Sequence, residues 1–462
     1  MKRLLFGCCL IFSSFLFAQT NELTPKDTAV IVSDIIISGN KKTRDGIILR
    51  ELLFKKGDTL YSSQLDEKLQ QSRAFVFNTT LFVDVSVTAT NLQDNKIVVL
   101  IIVSERWYIF PLPYFKLVDR NFNEWWVNQN ADLSRVNYGI KFFHNNLSGR
   151  NDKLNIWLIS GYNRQVTLRY ENPFSNKKLT NGFAIGFTQS RQKEINYLTS
   201  DSNKQEFLRL ENDFAKSFTR VEFAFTHRPD QRFKHIFKMG YTWESVSDSV
   251  ALKNPNYYGN GSKAFKYIDF AYLLQYYNTN YNAYPTKGFI GSVGIYQRGV
   301  GRENGYTQIS GSANWIRPIS KNSFVRTRLS GTLKFPFANY YVNQNLFGYG
   351  DLQVRGLENY VVDGMVGVLS SNSFGFKLFD YPLRLPVKNK TYSTIPFKFY
   401  GKLFADFGYS HNPFAGNDLL SNKLMYSYGI GIDIVTIYDF VFKLEFSFNQ
   451  LGSQSFVFGN RN

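Results

Sequence analysis

The feature that most constrains this chain is a period of two, sustained over stretches of about ten residues. In FVFKLEFSFN, Phe440, Phe442, Leu444, Phe446 and Phe448 fall on one side, and Val441, Lys443, Glu445, Ser447 and Asn449 on the other. VRTRLSGTLKF repeats the pattern, with Val325, Thr327, Leu329, Gly331, Leu333 and Phe335 opposed to Arg326, Arg328, Ser330, Thr332 and Lys334. Successive side chains of a strand point to opposite faces, so these are strands. A soluble sandwich also alternates, but it does not set phenylalanine so regularly against charge. Roughly sixteen such segments run from residue 136 to the end, and about ten residues is the length a tilted membrane strand needs. Aromatic residues make up 17% of the chain, which suits girdles at two membrane interfaces. The expected fold is mainly β: a transmembrane antiparallel β-barrel of about 16 strands over 136–462, preceded by a small α/β domain.

The only long apolar run is MKRLLFGCCLIFSSFLFAQT at the start, with basic Lys2 and Arg3, an apolar centre and a small residue at Ala18. This reads as a signal peptide over 1–18. LLFGC also hints at a lipobox ending at Cys8, although the apolar run continues beyond it. No later stretch reaches the ~18 apolar residues of a membrane helix, so a mature protein that spans a membrane does so with strands. Both cysteines, Cys8 and Cys9, fall in the leader. The formal charge of +18 comes from 54 basic and 36 acidic residues. These charges are dispersed and alternate with apolar residues, so a basic lumen and lipid phosphates account for them better than nucleic acid.

Residues 30–104 read as one α/β unit in the order β-α-α-β-β. VIVSDIIISGN is a strand closed by Gly39 and Asn40. Two helices follow, with Ile47, Ile48, Leu52 and Leu53 on the first and Leu65 and Leu69 on the second. Two strands, FVDVSVTAT and KIVVLIIVSE, complete the unit. SGNKKTRDGIILREL, GDTLYSSQLDE and TTLFVDVSV resemble a POTRA domain, a periplasmic module whose edge strands can pair with an extended peptide. Residues 105–135, with two prolines and three tryptophans, read as an ordered linker that places Trp107, Trp125 and Trp126 at the periplasmic membrane face.

GYGDLQVRGLENYVVDG, residues 348–364, reads as a loop with one charge, Arg355, between Val354 and Gly356. In KFYGKLFADFGYS, parity places Lys402, Phe404, Asp406 and Gly408 inside the barrel, so an arginine on an in-folded loop could meet Asp406 in bidentate geometry. Val354 to Leu357 (VRGL) with Phe404 to Gly408 (FADFG) resembles the loop and strand motifs of the BamA-like superfamily of outer-membrane barrels with POTRA domains. NLSGRNDKL, with Gly149, resembles the family's first hairpin; YENPF, with Asn172 and Pro173, its next turn; YPTKG, with Pro285 and Gly288, its mid-barrel turn.

The resemblance implies insertion of barrel proteins into the outer membrane, or export of polypeptides across it. It also implies a loop that plugs the lumen through its arginine, and a weak seam between the first strand, near RVNYGIKFFHN, and the last, near SQSFVFGN. The implied partners are unfolded outer-membrane or secreted polypeptide clients, the lipid bilayer and accessory periplasmic or lipoprotein subunits, with no nucleic acid. One POTRA unit, where BamA proteins usually carry several, points to an accessory or specialised member. Two rival readings remain. A passive porin would need an open lumen. A barrel enzyme would need a catalytic constellation, yet His144, His227, His235 and His411 show neither nucleophile-elbow nor metal-ligand spacing. No catalytic residue, cofactor or metal is expected.

Overall fold

The computed structural model describes residues 27–91, 94–118, 132–350, 352–386 and 393–459. The leader over 1–18, Trp125 and Trp126 lie outside the described residues.

The small domain consists of β1 (Ala29–Ser38), α1 (Asp45–Leu49), β2 (Thr59–Tyr61), α2 (Ser62–Phe77), β3 (Phe82–Asn91) and β4 (Lys96–Glu105). Its sheet runs β2-β1-β4-β3, with β1 and β4 parallel. Alternation on β4 buries Ile97, Val99, Ile101 and Val103, and Ile47, Ile48, Leu69 and Val76 of the helices close the core over them. The three-residue β2 is too short to carry a periodicity of its own, and the sequence reading lacks it.

The large unit opens with β5 (Ile109–Leu117), β6 (Val136–Asn145), β7 (Lys153–Gly161), β8 (Arg164–Asn172) and β9 (Asn181–Gln192). A separate hairpin, β10 (Glu194–Thr199) and β11 (Gln205–Arg209), precedes β12 (Lys216–His227) and β13 (Phe233–Val246). After a short helix, α3 (Asp248–Lys253), come β14 (Ala264–Thr279), β15 (Gly288–Arg298), β16 (Tyr306–Pro318) and β17 (Ser323–Phe335). An inserted loop then holds α4 (Tyr341–Gln344) and the paired β18 (Asn345–Phe347) and β19 (Val362–Asp363). The chain finishes with β20 (Val366–Arg384), β21 (Thr394–His411), β22 (Leu424–Val435), β23 (Val441–Asn449) and β24 (Gln454–Gly459).

Sixteen of these strands form one sheet in chain order, with β5 at one edge and β24 at the other. Bonds across the interior curl it into a barrel: Tyr284, before β15, donates to Asp433 on β22 at 3.0 Å. The expected linker over 105–135 is therefore corrected. Part of it is β5, which pairs along its length with β6, so RVNYGIKFFHN is the second strand and not the first. Pro111 and Pro113 hide β5 in the sequence, because proline cannot donate to a ladder and reads as a strand breaker unless the strand is an edge.

Register aligns the outward residues into apolar rows. Leu168, Phe187, Val221, Tyr241 and Ile268 lie side by side across β8, β9, β12, β13 and β14. Tyr170, Ile185, Phe223, Met239 and Phe270 form the next row towards the small domain, and Asn172, Phe183, Phe225, Phe237 and Tyr272 the one after. Inward positions of the same strands carry ion pairs instead, such as Arg220–Asp269 at 2.7 Å.

Candidate functional site: lumen loop, seam and domain joint

The loop between β17 and β20 turns back into the barrel. Its tip is Arg355, whose Nε donates to Asp406 Oδ2 at 2.9 Å and Nη2 to Oδ1 at 2.5 Å. The Arg355 backbone N–H reaches the same carboxylate at 3.0 Å. Nη1 donates to Ser373 Oγ at 3.0 Å, Nη2 also to the Asn372 carbonyl at 3.1 Å, and the guanidinium stacks 4.1 Å above the Phe404 ring. Asp406 has no exposed surface. A buried carboxylate needs this number of donors, and the planar fork of arginine supplies them as lysine could not.

Val354 and Leu357, on either side of the tip, are buried in an apolar cluster with Leu346, Phe347, Leu369 and Met425. Gly408 on β21 lets Val354 seat: a Cβ there would lie 3.0 Å from Val354 Cγ2. Gly356 has φ +86°, and an added Cβ would press on Ser447 Oγ at 3.0 Å. Only glycine meets both demands without strain.

The same tip touches the last strands. Asn449 Nδ2 on β23 donates to the Gly356 carbonyl at 2.7 Å, and Ser455 Oγ on β24 donates to Glu358 Oε2 at 2.9 Å. Glu358 Oε1 accepts from the Gly356 N–H at 3.0 Å, closing the turn. The sequence reading missed Glu358 and Ser455, since a loop has no period to follow. At the loop's base, burial raises the Asp363 carboxyl to about 6.

Among the described residues, no ladder joins β5 to β24. β24 is six residues long and pairs only with β23, and its Phe456 and Phe458 are 69% and 68% exposed. The bonding pattern identifies which residues face the gap. Val118 N bonds to Arg135 O and Asn145 N to Tyr108 O, so even-numbered positions of β5 bond to β6 and odd-numbered ones point to the opposite edge. Pro111 and Pro113 are both on that edge and carry no N–H. On β24, the Asn449–Ser453 bond leaves Gln454, Phe456 and Phe458 facing outward with their donors intact.

The remaining motif positions gather elsewhere, at the joint between the two domains. Gly149 has φ +81°, and a Cβ on it would sit 2.3 Å from the Lys42 carbonyl. Its own carbonyl accepts from the Arg44 N–H at 3.0 Å. Asn40, after Gly39 at the end of β1, donates to the Thr43 carbonyl at 2.9 Å, and Asn146 Nδ2 donates to Thr43 Oγ1 at 2.9 Å. Asn172 Oδ1 accepts from the Phe174 N–H at 3.1 Å across Pro173, and Phe174 enters the small domain's core.

Beside it, Arg228 grips the fully buried Glu51 bidentately at 2.8 Å, and Arg50 adds a bond at 2.9 Å. Burial, with Arg228 alongside, pulls Arg50 down to about 10, so it stays charged at neutral pH. Arg106 holds Asp439 on the β22–β23 turn at 2.7 and 3.0 Å. The Pro285 carbonyl accepts from Arg326 at 2.8 Å, and Gly288 opens β15. The sequence marked the glycines and prolines of this joint but not its ion pairs, whose partners are some 180 to 330 residues apart.

The lumen keeps a cavity of about 870 Å³, bounded by Arg355 and Asp406 on one side and by Phe77 and Asn78 of the small domain on another. At the far mouth, the hairpin β10–β11 reaches across: the Asn203 carbonyl accepts from Val361 N at 2.8 Å, and Asn203 Oδ1 from Leu420 N at 2.7 Å.

Comparison with known proteins places these features. Residues 30–106 match the POTRA family, described as a surface antigen variable number repeat, and residues 146–448 match the Omp85 superfamily domain. No curated protein matches the chain. Among solved structures, CdiB from Escherichia coli is similar with a TM-score of 0.54 at 12% identity, covering 94% of this chain and 74% of that one. BamA from Haemophilus ducreyi lacking POTRA domains 1–3 aligns with a TM-score of 0.48 at 14% identity, covering 93% and 83%. CdiB from Acinetobacter baumannii aligns with a TM-score of 0.45 at 14% identity, covering 93% and 73%. The superfamily match spans well over half of the sequence, so this chain belongs to the Omp85 superfamily, as an outer-membrane barrel with one periplasmic POTRA domain.

Proposed function

We propose that this protein assembles outer-membrane proteins or moves polypeptides through the outer membrane, and that a client strand is engaged at the barrel seam. The observation that carries this reading is the pair of edges, β5 and β24, left unjoined among the described residues in a sheet that is otherwise continuous. An exposed edge offers backbone donors and acceptors to any extended chain, and β24 offers both. The POTRA sheet has two further edges, β2 and β3, on which a client or an accessory subunit could add a strand. The lumen loop and the domain-side floor argue against a passive porin.

Crosslinking tests the reading. Cysteines placed in turn along β5 are combined with Val457→Cys on β24, and outer-membrane proteins are quantified by mass spectrometry in a depleted host. The oxidised pairs are expected to abolish rescue and the reduced pairs to restore it. Full rescue by a locked seam would sink the proposal. Depletion alone separates a general role, in which many barrel proteins are lost, from service to a single client.

A further inference from the structure

We propose that the outer surface of the barrel carries a binding site for the phosphorylated headgroup of an outer-leaflet glycolipid, built from Arg164, Arg191, Phe214 and Lys266. The site rests on the outer-membrane placement of the barrel, with the POTRA domain on the periplasmic side.

Its position follows from register. Above the apolar rows, on the side away from the POTRA domain, Val166, Gln189, Thr219, Trp243 and Lys266 lie side by side. Arg164, Arg191, Ser217, Ser245 and Ala264 form the row beyond. The outward face thus changes within two rows from aliphatic and aromatic to cationic and hydroxylic. That is the height at which acyl chains give way to headgroups.

The two arginines are directly opposed on β8 and β9. Like charges at such a position repel across the ladder. Among the described residues neither side chain makes an ion pair or a hydrogen bond; their side-chain contacts are with one ring, Phe214, at 5.4 and 5.9 Å. The ring holds both guanidinium groups beside each other with their N–H forks unused. Lys266 likewise has no ion pair among the described residues. A hollow of about 340 Å³ lies here, lined by Gln189, Arg191, Phe214, Ser217, Trp243 and Lys266, and also by Glu244, whose carboxylate is already paired with Arg298 and Lys216. Asp213 also borders it, with Oδ1 already accepting from the Phe214 N–H at 2.7 Å.

The cluster is local. At the far ends of β15, β16 and β17 the outward residues are Gln297, Thr307 and Phe335, and on β20, β21 and β22 they are Val368, Tyr409 and Leu424. Two forks, an ammonium and neighbouring hydroxyls suit a phosphate, which has several acceptor oxygens, better than a carboxylate. The apolar rows directly below suit the acyl chains of the same molecule, for which free phosphate has no counterpart.

Native mass spectrometry of the purified full-length protein in detergent tests this. The probes are a bisphosphorylated lipid A-type glycolipid, its dephosphorylated counterpart with the same acyl chains, and inorganic phosphate. The phosphorylated lipid is expected to bind about ten-fold more tightly than the dephosphorylated one. The double change Arg164→Gln with Arg191→Gln should remove most of that difference, and Arg164→Lys with Arg191→Lys should retain part of it. Lys266→Gln should give a smaller loss. Heat-modifiable gel migration reports whether each variant has folded, and the wild-type comparison of the two lipids needs no variant. Equal binding of both lipids, or an unchanged preference in the folded Gln variant, overturns the proposal. So does inorganic phosphate that displaces the lipid completely at equal concentration. Membrane fractionation of the host tests the outer-membrane placement separately.

Discussion

Asp406 accepts three hydrogen bonds from a single residue, two from the Arg355 guanidinium and one from its backbone. The backbone bond ties the carboxylate to the course of the loop as well as to the charge. Removing either partner leaves an uncompensated group in a buried site, at a cost of about 3–5 kcal/mol. Arg355→Ala and Asp406→Ala should therefore each lower the thermal midpoint, and the double variant should be no worse than the worse single one. Strictly additive losses would mean the two do not act as a pair. Arg355→Lys should rescue little, because one ammonium cannot span both oxygens, Ser373 and Asn372. Asp363 gives a second prediction. Its carboxyl titrates near 6, above the ordinary value of 3.8, so the folded chain binds a proton there that the unfolded chain has released. Stability then falls as pH rises through that window, and Asp363→Asn should flatten this part of a pH–stability curve. Parity alone made Asp406 legible in the sequence, because strand alternation fixes which side chains face the lumen. Nothing comparable marked Glu358, whose place depends on a turn around Gly356 and on a strand almost a hundred residues later.

At the scale of elements, the barrel strands with unbroken alternation, such as β17, β21 and β23, could be read directly. β5 could not, because its two prolines look like a linker when the neighbouring strand is unknown. The motif glycines and prolines were visible as residues, while their common place at the domain joint was not. That joint is held by buried ion pairs between distant segments, Glu51 with Arg228 and Arg106 with Asp439. Glu51→Ala should leave Arg50 and Arg228 facing each other without their anion. Hydrogen exchange should then speed up in α1 and in the turns over 173–180 and 228–232, with the POTRA core unchanged. Protection unaltered at those turns would show that Phe174 and the backbone bonds suffice to hold the domain.

Across the whole molecule, the barrel cavity is bordered by the lumen loop and the β10–β11 hairpin towards the far mouth, and by Phe77 and Asn78 of the POTRA domain below. Planar-bilayer recordings should show low conductance for the intact protein. A loop shortened by removing residues 349–361 should conduct more, with larger steps. A large, steady conductance indifferent to that deletion would return the passive channel to consideration. The seam of the wall lies between β5 and β24. There Pro111 and Pro113 remove two consecutive donors from the edge of β5 that faces β24. The two margins are chemically unequal: β24 keeps its donors at Gln454, Phe456 and Phe458, and β5 lacks them at Pro111 and Pro113. At those two positions the margin of β5 meets a neighbouring strand, β24 included, with acceptors only. Replacing the pair by Pro111→Val with Pro113→Thr should let the margins knit together, raising the thermal midpoint and slowing assembly at once. On this view the prolines act as spacers that keep the barrel wall from knitting shut.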